Sequence, residues 1–240
     1  MIRRTLAQTR IEILLTLRRG ESLLVVAGVP VGTLVFFTAV DVLPHGHPRA
    51  VDFLVPGVLA LSVISSAMTS LGIATGFERQ SGVLRRLGTT PLGREGLLAA
   101  KAMSTLVVVV LQVVVVVAVA AGLGWRPDTS FGPAAGVLAL GVVTFAGIGF
   151  LLAGRLRAES NLAVANALFL VFLLFGGIVV PLSELPDGLE ALAGLLPAEP
   201  LASALRATLE TQASIAADVI TLIVWSVIGC GLAAGTFRWD

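Results

Sequence analysis

The sequence predicts an all-α polytopic membrane protein. Six transmembrane helices are expected, with an N-terminal interfacial amphipathic helix, a cytoplasmic helix between spans, and a short outer re-entrant or helical segment before the last span. Three observations predict this. The 240-residue chain is 56% hydrophobic and only 13% charged, against about 25% charged in a soluble domain. Its apolar residues fall into blocks at 22–40, 53–75, 103–124, 132–153, 162–181 and 216–236, each near the roughly 20 residues that carry a helix across hydrocarbon. The run LVVVVLQVVVVVAVAA has no polar face at period two, so it is not a barrel strand. A continuous helix satisfies its own backbone hydrogen bonds, which lipid cannot do. The β-branched content of that run favours a strand in water, but in lipid length and context override the propensity. No linker divides the chain, so residues 1–240 read as one transmembrane domain.

Six spans place both termini on one side, and the charge says which side. Thirteen of the 16 Lys and Arg residues fall in segments 1–21, 76–102, 154–161 and 237–240; Arg49, Arg126 and Arg206 fall on the other side. Lys and Arg favour the cytoplasmic face, so both termini and the 76–102 segment are expected inside the cell. Trp125 and Trp239 fall at the ends of spans, as interfacial aromatics do, while Trp225 lies mid-span. The first apolar block starts after about twenty residues without a small-residue cleavage site, so no cleavable signal peptide is expected. The single Cys230 excludes an intrachain disulfide and supplies no metal cluster.

The N-terminal stretch IRRTLAQTRIEILLTLRRGE puts Ile2, Leu6, Ile13, Leu14 and Leu17 near one helical face, with Arg3, Arg4, Arg10, Arg18 and Arg19 around them. It predicts an amphipathic helix on the inner membrane surface. In the first outer loop, His45 and His47 form an H-x-H pair. Two ligands between prolines, with no Cys or carboxylate cluster, read as a solvated turn rather than a metal site. The second span carries Ser62, Ser65, Ser66, Thr69 and Ser70 at spacings of three and four, which align on one helical stripe. Such residues serve close helix packing and interhelical hydrogen bonds, or line a polar path. Gln112 in the third span suits a helix–helix hydrogen bond, and Gly141, Gly147 and Gly149 in the fourth permit close approach. The fifth span carries Asn161, Asn166 and an aromatic stripe of Phe169, Phe172 and Phe175. The stripe packs against lipid or core, or faces an apolar cavity. Gly176, Gly177 and Pro181 mark the bend or end of that helix. The following stretch, too polar and Pro-rich to span, predicts a short amphipathic hairpin and then a helix over 199–210.

The remaining segment, GFERQSGVLRRLGTTPLGREG at 76–96, holds six charged residues between two spans. Val83, Leu84 and Leu87 fall on one side of a short helix; Glu78, Arg79, Arg85 and Arg86 lie largely off it. Gly88 suits a helix C′ position, and Thr90 before Pro91 suits the cap and first residue of a new helix. An ordered, charged helix between spans either serves as a docking surface for a soluble partner or only adds charge to the topology.

These residues carry a resemblance. FLVPGVLALSVISSAM followed by GFERQSGVLRRLGTTPLGREGLLAAK resembles the membrane subunits of ABC-2-type ATP-binding-cassette transporters. Pro56-Gly57 matches an early Pro-Gly in the second span. Glu78, Arg79, Gly82, Leu84, Leu87, Thr90 and Pro91 match a pattern of the first cytoplasmic loop, while Gln80 stands where a further acidic residue is common. The segment FGGIVVPLSELPDGLEALAGLLPAEPLASALR, with Pro181, Leu185-Pro186, Pro197 and Arg206, is similar to the family's outer segment. The resemblance implies a pathway made by two six-span subunits, the second being a copy or a related chain. Two cytoplasmic ATPase subunits would bind ATP and Mg, and a coupling helix within 78–90, with Val83, Arg85 and Arg86 among its residues, would sit in a groove of the ATPase. The N-terminal helix resembles the family's connecting helix. The resemblance also makes Ser62, Ser65, Ser66, Thr69, Phe169, Phe172 and Phe175 candidates to line a cavity at the dimer interface.

The chain has no G-x-x-x-x-G-K-[ST] phosphate cradle, so ATP hydrolysis is expected in a separate chain. No catalytic, cofactor or metal residue and no nucleic-acid partner is expected here. An ion-driven transporter usually hides ionisable groups at mid-membrane, whereas Asp52 and Asp218 sit near the outer ends of their spans. A membrane enzyme is disfavoured by the lack of H-E-x-x-H, G-x-S-x-G and paired intramembrane carboxylates. The reading is export of a hydrophobic, drug-like compound. Lipid or lipid-linked glycan export, or a non-transporting scaffold role, is the alternative. Abundant Val, Ala, Gly, Leu and Arg with a single Lys suits a GC-rich bacterial genome, and so a bacterial inner membrane.

Overall fold

A computed structural model of the chain describes residues 2–18, 20–40, 50–88, 93–127, 131–179, 182, 186–211 and 213–237. Eleven α-helices follow one another in this chain with no strand among the described residues. Helix α1 is Ile2–Arg18 and α2 is Gly20–Val40; α3 is Ala50–Val63 and α4 is Leu71–Gln80. A π-helical stretch, Ile64–Ser70, joins α3 to α4 in one continuous rod, Ala50–Gln80. Helix α5 is Val83–Gly88, α6 Gly93–Gly122, α7 Phe131–Arg155 and α8 Ala158–Phe175. Helices α9 (Asp187–Ala193) and α10 (Ala198–Arg206), with a further π turn at Ala207–Thr211, precede α11 (Ala216–Thr236).

Among the described residues, five helices are long and apolar enough to cross a membrane: Ala50–Gln80, Gly96–Gly122, Phe131–Arg155, Ala158–Phe175 and Ala216–Thr236. Within α2 a shorter apolar helix, Gly28–Val40, covers most of the expected first span. The chain is thus an all-α polytopic membrane protein. Several boundaries move from the sequence reading; the third span, for one, starts at Gly96 rather than 103. The second span runs past 75 to Gln80 without a break, because nothing between Leu71 and Gln80 interrupts helical hydrogen bonding. The fifth stops at Phe175 rather than 181, because Gly177 takes φ +65°, a left-handed conformation that a helix cannot continue.

The rod Ala50–Gln80 is the axis of the packing, 89% of its apolar window being buried. Close backbone approach makes this possible. A Cβ on Gly57 would lie 2.3 Å from the Ile178 carbonyl oxygen, so the Pro56-Gly57 position lets α3 touch the segment after α8. Gly72 meets Gly149 across the α4–α7 contact, and Gly147 sits against the backbone of Gly229 and Cys230 on α11. Thr144 Oγ1 lies 2.7 Å from Ser226 Oγ in the same α7–α11 contact. Small residues at helix crossings do here what they do generally in lipid, where burial of apolar surface alone does not drive helices together.

Helix α1 turns its apolar side away from the protein. Leu6 and Leu14, on the apolar face expected at the membrane surface, are about half exposed, as are Ile11 and Leu15; Ile13 is half-buried. Thr9 is the buried residue, and Thr5, Gln8, Glu12 and Thr16 share its side, against α6. The helix is amphipathic, but it packs its polar face on the protein and leaves the apolar one to the surroundings. In water that arrangement is costly, whereas against acyl chains it is favourable.

Candidate functional site

The segment between the second and third spans forms a rod end, a turn and a short helix. Ser81 N–H donates to the Phe77 carbonyl at 2.9 Å and Gly82 N–H to that of Arg79 at 3.0 Å, closing the rod. Gly82 then takes φ +74°, with open space around it, so backbone conformation alone selects glycine there. Helix α5 is only six residues, too short to stand alone. Leu84, 1% exposed, fixes it against Leu97 on α6, with Leu87, Leu98 and Phe237 around them. Val83, Arg85 and Arg86 are exposed.

A separate short helix, Val83–Gly88, lies within the expected 78–90 stretch, while Glu78 and Arg79 belong to the rod. Val83 does not share the buried side of Leu84, and helix continues through Gly88 rather than stopping before it. Thr90 and Pro91 lie outside the described residues, as do His45, His47, Pro181, Leu185 and Trp239.

The charged groups of the rod end point inward. Glu78 Oε2 pairs with Lys101 Nζ at 2.6 Å, and Lys101 Nζ also reaches Glu12 Oε2 at 3.2 Å. Lys101 is only 3% exposed. Three helices, α1, α4 and α6, are therefore joined through one ammonium. Gln8 Nε2 donates to the other oxygen of Glu12 at 2.9 Å. Arg79 donates from Nη2 to the Leu156 carbonyl at 2.6 Å, past the C-terminus of α7, where a cation meets the negative end of the helix. Gln80 donates to Glu159 on α8 at 2.9 Å. The end of one rod thus holds the ends of α1, α6, α7 and α8.

Above this node lies a cavity of about 1150 Å³, bounded by α1, the π segment, α4, α6 and α8. Ser65, Ser66, Thr69 and Phe169, all singled out in the sequence, line it. The other three candidates do not. Ser62 is fully buried and donates to the Val58 carbonyl. Phe172 is 4% exposed and packs edge-to-face on Phe145 at 5.7 Å. Phe175 is half-buried outside the lining. Ser66 lines the cavity and also donates to Gln112 Oε1 at 2.6 Å, tying the rod to α6. The π segment explains the division: it carries Ser65 to Ser70 on a wider turn than the α-helical spacing assumes, so the stripe splits between packing and cavity. Glu12, Lys101, Ser104, Thr105 and Phe77 also line the cavity and were not singled out as lining residues. Lys101 carried a signal, being the single Lys of the chain amid apolar residues, and Glu78 carried one as the first residue of the loop pattern; Glu12 carried none.

A second charged cluster sits at the other end of the rod. Arg206, ending α10, donates to the Gly177 carbonyl at 2.8 Å and lies over the Phe53 ring at 4.2 Å. Arg206 Nε and Glu210 Oε1 are buried without hydrogen-bond partners. Burial, with the Asp218 carboxylate nearby, pushes the Glu199 carboxyl up to about 7 against the pull of Arg206. Burial pushes Glu210 up to about 7 likewise, Arg206 opposing and Asp52 adding to it. Among the described residues, no group of three or more His, Cys, Asp or Glu is placed to hold a metal ion.

No curated protein matches the sequence. A sequence model of the ABC-2 type transporter family matches residues 4–209, from the first turn of α1 through the π turn after α10. That stretch contains the node, the cavity and α5, as well as Arg206 and Glu199, while Glu210 and Asp218 lie beyond it. Proteins of this kind are the permease components of ATP-binding-cassette systems, and the ATPase is a separate subunit. The chain belongs to the ABC-2 type transporter family, as a transmembrane transport subunit.

Proposed function

We propose that this chain forms, as a dimer, the translocation pathway of an ATP-driven exporter of hydrophobic, drug-like compounds in a bacterial inner membrane. Both termini and α5 face the cytoplasm, where two ATPase subunits bind ATP and Mg. Exposed Val83, Arg85 and Arg86 on α5 meet the ATPase, and Leu84 transmits its displacement to α6.

The observation that carries this reading is the position of Glu78. It stands near the end of the rod that leads into α5, pairs with Lys101, and lines the cavity. A shift of α5 therefore pulls on groups that belong to the cavity wall. ATP binding drives export only if the ATP-bound ATPase pair contacts the two pathway states differently, and α5 is the surface for that difference. The cavity's lining of Phe, Leu and Val with scattered hydroxyls suits an amphipathic compound.

The test is recovery of the tagged chain from its native membrane in mild detergent, with mass spectrometry of what accompanies it. A co-purifying ATP-binding-cassette ATPase that is lost when Val83, Arg85 and Arg86 are changed to Asp supports the docking role of α5. Retention of the ATPase by that variant would place the contact elsewhere. ATP-dependent accumulation of a hydrophobic dye in inverted vesicles tests export itself.

A further inference from the structure

We propose, on the footing of the export reading above, that the cavity selects lipophilic organic cations. The described residues lining it include three charged side chains: Glu12, Glu78 and Lys101. One ammonium serves two carboxylates, at 3.2 and 2.6 Å. The formal charges of these described lining side chains therefore sum to one net negative charge. Arg79, at the same rod end, is directed to the Leu156 carbonyl instead. Ser65, Ser66 and Thr69 add hydroxyls to the wall but no charge.

The rest of the lining narrows the class of cation. Phe77 and Phe169 present rings to the same space, and ring faces attract cations most when water is displaced. A volume of about 1150 Å³ exceeds what a bare inorganic ion fills, and such ions seek six or more oxygen ligands at once. A bulky cation with its charge spread over apolar groups fits both conditions. It places apolar surface against the Phe, Leu and Val side chains and its charge toward the unbalanced carboxylates. An anion of the same shape meets the same apolar wall but is repelled at the node.

The experiment measures equilibrium binding of tetraphenylphosphonium and of tetraphenylborate, near-identical shapes of opposite charge, to the purified full chain in detergent. The wild type is compared with Glu12→Gln, which leaves Lys101 paired with Glu78 and cancels the net charge. Loss of one nearby carboxylate is expected to weaken tetraphenylphosphonium binding about tenfold, with tetraphenylborate unchanged or tighter. Equal tetraphenylphosphonium affinity in wild type and Glu12→Gln overturns the proposal, as does a loss shared equally by both probes. Should Glu12→Gln not fold, Phe169→Leu is read instead, with a several-fold loss of the cation expected and no such loss overturning the proposal. Binding needs no ATP, so the export reading fails separately: intact, charge-selective binding without any ATP-driven dye movement in vesicles would remove export and keep the cation site.

Discussion

At one end of the Ala50–Gln80 rod, Lys101 is buried between Glu12 and Glu78 with both ion pairs formed. At the other end, Arg206 is buried beneath Phe53 and the Gly177 carbonyl, while its Nε and the Glu210 Oε1 have no hydrogen-bond partner. The ingredients are alike, but the physics differs. Buried ions cost several kcal/mol each unless paired with good geometry. The α5 end has both carboxylates beside the cation, although Glu78 Oε2 makes no hydrogen bond of good geometry there. The α10 end meets that condition only in part, and its carboxyls respond by holding protons more tightly. One end is closed by ion pairs, and the other holds carboxyls that burial keeps protonated to higher pH.

The comparison breaks most sharply at Lys101. Lys101→Met leaves two carboxylates facing each other with no cation, and a loss of about 3–5 kcal/mol is expected. Thermal unfolding in detergent reads it. A triple variant with Glu12→Gln and Glu78→Gln added is expected to regain most of the loss, since removing all the charges is far milder than orphaning two. If the single and triple variants unfold alike, the node does not hold the helices together.

Glu78→Ala is expected to be smaller, about 1.5–3 kcal/mol, because Lys101 keeps Glu12. Its larger effect should be functional: ATP hydrolysis by the complex continues while transport falls. The double change of Leu84 and Leu87 to Ala should uncouple in the same way, by freeing α5 from Leu97. Coupled transport in either variant would dissociate the α5 end from the ATPase.

The α10 end should show the opposite sensitivity, to pH rather than to truncation. Folding raises the Glu199 and Glu210 carboxyls from the ordinary 4.5 to about 7. Between those values the folded chain binds more protons than the unfolded one. The contribution is therefore fully present below about 4.5 and is lost as pH rises through about 7. The unfolding temperature should fall over that window, and Glu210→Gln should flatten the fall. An unfolding temperature that rises with pH across it would refute the account. Smallest of all, Arg85→Ala should change stability by no more than about 0.5 kcal/mol, the side chain being exposed, while weakening retention of the ATPase.

The spanning helices were legible in the sequence because lipid imposes a one-dimensional rule. A stretch must be long, apolar and self-bonded to cross, and five helices of the structure satisfy it close to where the apolar blocks lie. Gly57 and the glycines of α7 were legible in kind, since a missing side chain at a crossing is visible as a letter. Helix α5 was legible through Leu84 and Leu87, whose spacing marks a buried side, though not through Val83, which a helix of six residues turns outward.

What the letters did not contain is which residues meet. Glu12 and Lys101 stand 89 positions apart, and no local pattern pairs them. Phe169 and Phe172 differ only by one helical turn, yet one lines the cavity and the other fills the core against Phe145. The π segment redirects Ser65, Ser66 and Thr69 by widening the turn on which they were counted. The sequence by itself determined that the chain crosses a membrane, roughly where, and which short helix between spans is ordered, because those follow from local composition against a fixed solvent. The tertiary structure alone decided the ionic node, the cavity wall and the contact of the polar side of α1 with α6, because each depends on distant helices sharing one space.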